Sequence, residues 1–339
     1  MEALKKALLA VLLMGGFGLL VGAGAFWWSD TGARRTGPAG DDVELEVQRG
    51  ATAKTMAVML EKNGLVRDGR FFRYAVWRRG GLALKAGKFR LSPKLSAFDL
   101  AVALEASPLA EEEAIVIVEG WRIRDVDAAL VQAGRLDRGA YVQAASDANG
   151  YLAPFTLPTG TLEGYLYPET YRLPKGRIDP KVLVQKQLDQ FAARVFQPLA
   201  DEIQKSRRSL HELVVMASML EREEPTPANR PLVAGILWKR IDRSFPLGVD
   251  ATSRYELAEW NDRVGFLARL RDRDDRYNTR YKTGLPPTPI GAPTAVSFEA
   301  ALRPEKSEFL YYLHDAQKRL HPSRNAEEHE RLRKKFDVY

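Results

Sequence analysis

"VELEVQRGATAKTMAVMLEKNGL", residues 43–65, decides how this chain is organised, because the sequence carries its pattern twice. The register that sets Gly50 on Gly120 also sets Leu60 on Leu130, Gly64 on Gly134, Gly69 on Gly139 and Phe71 on Tyr141, without a gap. The second copy reads "AIVIVEGWRIRDVDAALVQAGRL" at 114–136. In each copy an apolar run predicts a strand, a glycine a turn, a helical apolar period an amphipathic helix, and a second glycine its end. Between the copies, "LKAGKFRLSPKLSAFDLAVAL" (84–104) predicts a strand over Gly87–Leu91 and a helix from Ser96. Ser96 is suited to cap that helix, with Asp99 three residues on.

Residues 42–149 are therefore expected to form a small α+β module with an internal repeat. The module resembles the LysM-like carbohydrate-binding fold, and a duplication with a purely structural role is the competing reading. After a Gly- and Pro-rich stretch at 149–160, "DPKVLVQKQLDQFAARVFQPLADEIQ" (179–204) brings longer helices. A second domain is expected over 150–339, and the chain as a whole reads as mixed α+β.

Toward the amino terminus, Ala7–Trp28 carries no charge. At about 1.5 Å per residue it is long enough for a bilayer core of roughly 30 Å. Lys5 and Lys6 precede it, and Trp27 and Trp28 stand where an interfacial aromatic belt would be. The expectation is a single-pass anchor over 1–28 with everything after residue 29 exported. A secretory signal cut after Ala23-Gly24-Ala25 is the alternative. Residues 29–41, "SDTGARRTGPAGD", read as a flexible linker.

Composition narrows the chemistry. The net charge of +7 and pI of about 9.4 suit a membrane surface, nucleic acid or cell-wall polymer. No basic-aromatic nucleic-acid motif accompanies that charge, so no nucleic-acid partner is expected. The chain has no cysteine, which excludes disulfides and thiolate metal sites. Its four histidines, His211, His314, His321 and His329, form no close metal-binding pair. Neither a metal nor another cofactor is expected.

The candidate for catalysis lies in "VVMASMLEREEPTP" (214–227). At about 100° per helical residue, Glu221 falls within about 20–40° of Leu210, Val214 and Ala217. Glu223 then points about 160° away and Glu224 about 60° off the apolar stripe. Pro225 and Pro227 end the helix, so Glu221 lies near the negative end of its dipole. Burial and the dipole both favour a protonated carboxyl, the form a general acid needs. A buried glutamate satisfied by an arginine such as Arg240 or Arg254 is the equal alternative.

Four segments together carry a resemblance: "LEGYLYPETYRL" (162–173), "ASMLEREE" (217–224), "RPLVAGILWKRI" with "PLGVDATSRY" (230–255), and "YNTRYKTGLPPTPIGAPTAVSFEAALRP" (277–304). In this order they resemble the endolytic murein transglycosylases, the YceG-like or MltG family, over nearly the whole chain. The resemblance implies an inner-membrane protein with a periplasmic or extracytoplasmic YceG-like catalytic domain. It implies lytic cleavage of nascent peptidoglycan glycan strands between N-acetylmuramic acid and N-acetylglucosamine, leaving 1,6-anhydro ends. Glu221, the first acid after the Ala-Ser step, would act as general acid and then base.

Further roles follow from the same resemblance. Asp250 and Thr252 match the family's Asp-Pro-Thr motif, with Ala251 in place of the proline, and Asp250 as a helix cap is the alternative. Tyr277, Asn278 and Thr279 match a sugar-binding loop in which Arg280 replaces a tyrosine. Glu163, Tyr167 and Tyr171 would line the cleft or serve as core. Lys239-Arg240-Ile241 and His321-Pro322-Ser323 depart from the family's pattern, while Glu328 and His329 match it.

Two other functions stand beside the lytic one. The first is a membrane-anchored, non-catalytic peptidoglycan-binding scaffold of the wall-synthesis machinery, with peptidoglycan synthases as partners. The second is a hydrolytic muramidase, which requires another carboxylate such as Asp250 or Glu163 about 5–9 Å from the acid.

Overall fold

The computed structural model describes the backbone of residues 2–38, 40–109 and 111–337, and side chains from residue 13 onward. It divides into two compact units, Met1–Glu111 and Glu112–Tyr339.

In the first unit, strand β1 (Val43–Val47) leads to helices α2 (Ala53–Lys62) and α3 (Gly69–Arg78), then to strand β2 (Gly87–Leu91) and helix α4 (Ala97–Glu105). The strands pair antiparallel, with Val43 opposite Leu91 and Leu45 opposite Phe89. Alternate residues Leu45, Val47, Phe89 and Leu91 turn inward onto Met56, Leu60, Phe72, Leu100 and Leu104. The expected capping box is present: Ser96 Oγ accepts from Asp99 N–H, and the Asp99 carboxylate accepts from Ser96 N–H. Gly50 and Gly64 take the left-handed conformation at the two turns.

Helix α1 (Glu2–Arg34) precedes this core. Residues 29–34, read from composition as part of a flexible linker, continue it. The reason is packing: Ala33 is fully buried, and Gly32 lets the Phe71 ring approach where any Cβ would collide with it. Among the described residues, no helix is long and apolar enough to cross a membrane. The expected span starts at Ala7, and the side chains of residues 7–12, like those of Lys5 and Lys6, lie outside the described residues.

The second unit repeats the order. Strand β3 (Glu112–Val116), helices α5 (Ile123–Gln132) and α6 (Ala140–Ala145), strand β4 (Thr170–Pro174) and helix α7 (Pro180–Phe191) follow one another. Strands β3 and β4 pair antiparallel, Ile115 opposite Tyr171. Gly120 and Gly134 repeat the left-handed turns of Gly50 and Gly64. Each copy is thus a β-α-α-β-α unit. The second copy belongs with the carboxyl-terminal half, so the division falls at Glu111/Glu112 and not at residue 150. Its strand finds a partner only at 170–174, and Ile123, Val126, Leu130 and Tyr141 share one core with Leu183, Leu188 and Phe191.

After α7 a π-helical turn (Ala192–Phe196) passes into α8 (Gln197–Lys205), and α9 (Leu210–Glu223) then runs through the centre. Ser209 and Glu212 form its capping box. Every residue from Leu213 to Leu220 is buried, so α9 is covered on all sides. Helices α10 (Arg230–Asp242), α11 (Asp250–Arg254) and α13 (Ala295–Leu302) pack on it. Helix α12 (Arg263–Arg271), the hairpin β5 (Tyr311–His314) with β6 (Leu320–Ser323), and α14 (Ala326–Phe336) complete the unit.

Candidate active site

Helix α9 stops at Glu223 because Glu224 is extended and Pro225 cannot donate a helical hydrogen bond. Its last turn therefore delivers three carboxylates within four residues to the surrounding elements. Each meets a different environment.

Glu221 is held by α10 and α13. The Arg230 guanidinium lies 3.0 Å from one carboxylate oxygen, and Thr294 donates its N–H at 2.8 Å and its hydroxyl at 2.6 Å to the other. Only 7% of the Glu221 side chain is exposed. The partner is neither Arg240 nor Arg254. Arg240 instead donates to Leu247 O and Leu310 O, and Arg254 to Trp260 O.

Glu223 is half-buried between α11 and β5. Its carboxylate accepts from Ala251 N–H and, at 3.4 Å, from Tyr312 Oη. Burial, and then the negative charge of Asp250, push its carboxyl up to about 7 against the opposing pull of His314. Glu224 is fully buried and accepts from His314 Nε2 at 2.9 Å and Thr226 N–H at 2.7 Å. Burial opposes its ionisation, but these hydrogen bonds hold it below the usual carboxylate range. His314 is correspondingly raised: burial works against it, and the Glu224 hydrogen bond and the Glu223 charge overcome that.

The helical count thus misplaces Glu224, which is fully buried, and makes Glu223 more open than it is, since Glu223 is half-buried. A count of angles assumes one buried face, and α9 has none that is free. Between the acids, Arg222 lies 3.5 Å over the Trp260 ring and donates to Gly120 O at 3.1 Å.

Asp250 opens α11 as its first residue and does not cap it. Its carboxylate receives Arg280 Nη2 at 2.6 Å and Nε at 2.9 Å, with both side chains nearly half exposed. Arg280, which departs from the family's tyrosine, thereby pairs with Asp250. Thr252 is fully buried, donates to Val249 O at 2.7 Å, and lies 3.1 Å from Thr279 Oγ1. Thr279 Oγ1 also accepts from Val249 N–H. Asn278 is fully buried, and its amide nitrogen donates to the carbonyls of Arg269, Leu270 and Asp272. The Tyr277 hydroxyl pairs with Thr288 at 2.9 Å. The side-chain polar atoms of Thr252, Tyr277, Asn278 and Thr279 are occupied by the protein, so these residues brace the backbone at Val249 and at Arg269–Asp272.

Glu163 does not line a cleft. It is buried, accepts from Ile123 N–H at 3.2 Å and Tyr255 Oη at 3.1 Å, and so satisfies the first turn of α5. Burial raises its carboxyl to about 7. Tyr167 hydrogen-bonds the Ala295 backbone next to Thr294, the partner of Glu221. Tyr171 donates to Tyr167 O at 2.6 Å from within the core.

These features define a mixed α+β protein built around an acidic helix terminus, where burial and a neighbouring charge raise the Glu223 carboxyl. The profile of the YceG-like family matches residues 45–335, and the chain belongs to that family. An endolytic murein transglycosylase of Bacillus subtilis (strain 168) is 25% identical over 307 residues, covering 87% of this chain and 84% of the relative. An endolytic murein transglycosylase of Streptococcus pneumoniae serotype 2 (strain D39) is 24% identical over 320 residues. That match takes in 85% of this chain, which spans only 57% of the pneumococcal protein's length. The crystal structure of a YceG-like protein from Listeria monocytogenes shares the fold, with a TM-score of 0.58 at 24% identity over 87% of this chain and 100% of that chain.

Proposed function

We propose that this chain is an endolytic lytic transglycosylase acting on peptidoglycan, with Glu223 as its acid and base. The observation that carries the assignment is the placement of Glu223 at the end of α9, half-buried and accepting from Ala251 N–H and Tyr312 Oη, where burial and the Asp250 charge raise its carboxyl. A proton held near neutral pH is what a glycosidic leaving oxygen needs. Glu221, the residue the sequence resemblance points to, has its carboxylate taken up by Arg230 and Thr294 and serves here to hold α9, α10 and α13 together.

In this reading Glu223 gives its proton to the bridging oxygen as the bond from C1 of N-acetylmuramic acid to N-acetylglucosamine breaks. The muramic acid's own 6-hydroxyl then closes on C1, and its proton returns to Glu223. The products are a 1,6-anhydro end and a free hydroxyl on the departing sugar, so neither water nor a second carboxylate is consumed. The murein transglycosylase names of the relatives support the substrate class.

The uncharged run Ala7–Trp28 within α1 supports an inner-membrane anchor with both units on the extracytoplasmic side. The β-α-α-β order of the first unit supports a LysM-like glycan-binding role, and peptidoglycan synthases are the partners such a position suggests.

Asp250, whose charge acts on Glu223, favours hydrolysis as the second reading, because it supplies the additional carboxylate. The full chain in detergent, incubated with uncrosslinked glycan strands beside Glu223→Gln and Glu221→Gln variants, separates the readings by mass spectrometry of the ends. Anhydro ends from the wild type and none from Glu223→Gln support lytic cleavage through Glu223. Reducing ends mean hydrolysis, and intact strands with every protein mean a binding scaffold.

A further inference from the structure

The contacts between α1 and α3 fix the first unit against whatever α1 enters. The Phe26 ring meets Tyr74 at 5.9 Å, and the Arg78 guanidinium lies over it at 5.4 Å. Further along α1, Trp28 meets Phe71 at 4.8 Å with the rings tilted by 54°, Arg70 lies over Trp28 at 5.1 Å, and Gly32 abuts Phe71. Passing from Phe71 to Arg78 along α3 therefore moves from the level of Gly32 back to that of Phe26. Helix α3 descends toward the apolar part of α1.

Residues 26–32 cover about 9 Å of helix. The polar layer on each side of a bilayer is roughly 5–7 Å deep. If α1 crosses with Trp27 and Trp28 at the boundary, α3 must lie in that layer, because it touches no other level of α1 among these contacts.

The outer face of α3 suits this depth. Arg70, Arg73 and Trp77 form one exposed stripe at helical spacing, Trp77 is 67% exposed and meets Tyr74 at 5.8 Å with the rings tilted, and Arg78 and Arg79 flank it. Among the described residues no ion pair engages Arg73 or Arg78, whereas Arg70 has Asp68 and Arg79 has Glu105. A large amphipathic ring among arginines is the composition of a membrane-interface contact and not of an ordinary solvated helix face.

We propose that α3 is a second membrane contact, with Trp77 inserted at headgroup depth and Arg73 and Arg78 on anionic lipid phosphates, so that the first unit lies flat on the bilayer instead of swinging from a tether. The proposal rests on the reading of α1 as a span. Its occupant is the lipid surface, chosen over a protein partner because α3 packs on the level of α1 at which the exposed apolar side chains Leu13–Trp28 end.

The chain has no cysteine, so a single introduced thiol reports one site. The full chain carrying Trp77→Cys with an environment-sensitive fluorophore would be reconstituted in vesicles of phosphatidylglycerol and phosphatidylcholine. Quenchers would be placed at the headgroup, deep in the acyl chains, or in water. The expected result is blue-shifted emission quenched chiefly from the headgroup, lost in vesicles lacking phosphatidylglycerol when Arg73 and Arg78 are also changed to Gln. Arg73→Cys, one turn away on the same exposed stripe, repeats the reading should Trp77→Cys fold poorly. Leu152→Cys, 80% exposed in the second unit, supplies the aqueous reference. Phe17→Cys tests α1 separately through the deep quencher. A deep Phe17 label with a water-quenched Trp77 label overturns the proposal while the anchor stands. A shielded Trp77 label insensitive to every lipid quencher also overturns it, in favour of a protein partner. A Phe17 label that the deep quencher misses removes the anchor itself.

Discussion

Arg230 and Glu221 form an ion pair of 3.0 Å with only 8% and 7% of their side chains exposed. Arg230 is further fixed by donating to Glu224 O and Ser297 Oγ, so it cannot follow its partner out to water. Changing Glu221 to Gln leaves a buried guanidinium short of its counter-charge, and the expected loss of stability is about 3–5 kcal/mol. Glu223→Gln removes a carboxyl that the fold already prefers neutral, so its stability should stay within about 1 kcal/mol of wild type, or rise, while turnover disappears. Urea unfolding of the two variants beside the glycan assay decides this. A fully stable but inactive Glu221→Gln would reverse the roles assigned to the two acids.

The proton on Glu223 sets the pH response. A general acid with a pKa of about 7 is loaded below that pH and empty above it, so activity should fall as pH rises through 7. Burial comes first among the causes and the Asp250 charge second. Asp250→Asn removes that charge and should move the alkaline limb of kcat/KM to lower pH. It also frees Arg280 from its carboxylate, which acts in the same direction. An unmoved limb would mean that Asp250 does not act on the catalytic proton.

What the sequence reveals and what it hides both have physical reasons. The repeat is legible because glycines at 50, 64, 120 and 134 must adopt positive φ, a demand that leaves a mark on the sequence itself. The capping box at Ser96 is equally local. The domain division is hidden because the partner of β3 lies beyond two helices, at 170–174, and no local signal announces it. Glu223 is hidden for a similar reason: Asp250, which raises it, and Tyr312 and His314, which oppose that shift, come from α11 and β5. The apolar run before it, buried on every side, erases the angular distinction on which a helical count depends. Thr252, Asn278 and Thr279 match a motif, but a motif cannot tell a hydroxyl facing sugar from one bonded to its own wall.

Glu163 offers a stability test independent of activity. Its carboxyl is raised from 4.5 to about 7, chiefly by burial, so the native state keeps a proton that the unfolded chain loses. Stability is unaffected below the unfolded value, falls as pH climbs from 4.5 to about 7, and stays reduced above, by roughly 3 kcal/mol in all. In Glu163→Gln the amide oxygen can still accept from Ile123 N–H and Tyr255 Oη, and nothing titrates. The variant should gain on the wild type between pH 4 and pH 8, as denaturant midpoints at the two pH values would show. An identical gap at both would locate the ionisation elsewhere.

Gly235 lies inside α10, where alanine would ordinarily stabilise a helix by about 1 kcal/mol. Here a Cβ would overlap the Glu305 carbonyl oxygen, and Glu305 N–H is itself bonded to Pro231 O at 2.9 Å. The backbone at 305 crosses α10 at the one position without a side chain, and it leads directly into β5 with Tyr312 and His314. Gly235→Ala should therefore cost about 1–3 kcal/mol, the sign opposite to helix propensity. It should also lower turnover, because displacing residue 305 moves the strand that borders Glu223. Thermal unfolding together with the pH profile tests both halves. A stabilised variant would mean that the crossing is loose, and a destabilised one with an unchanged profile would separate the crossing from the site.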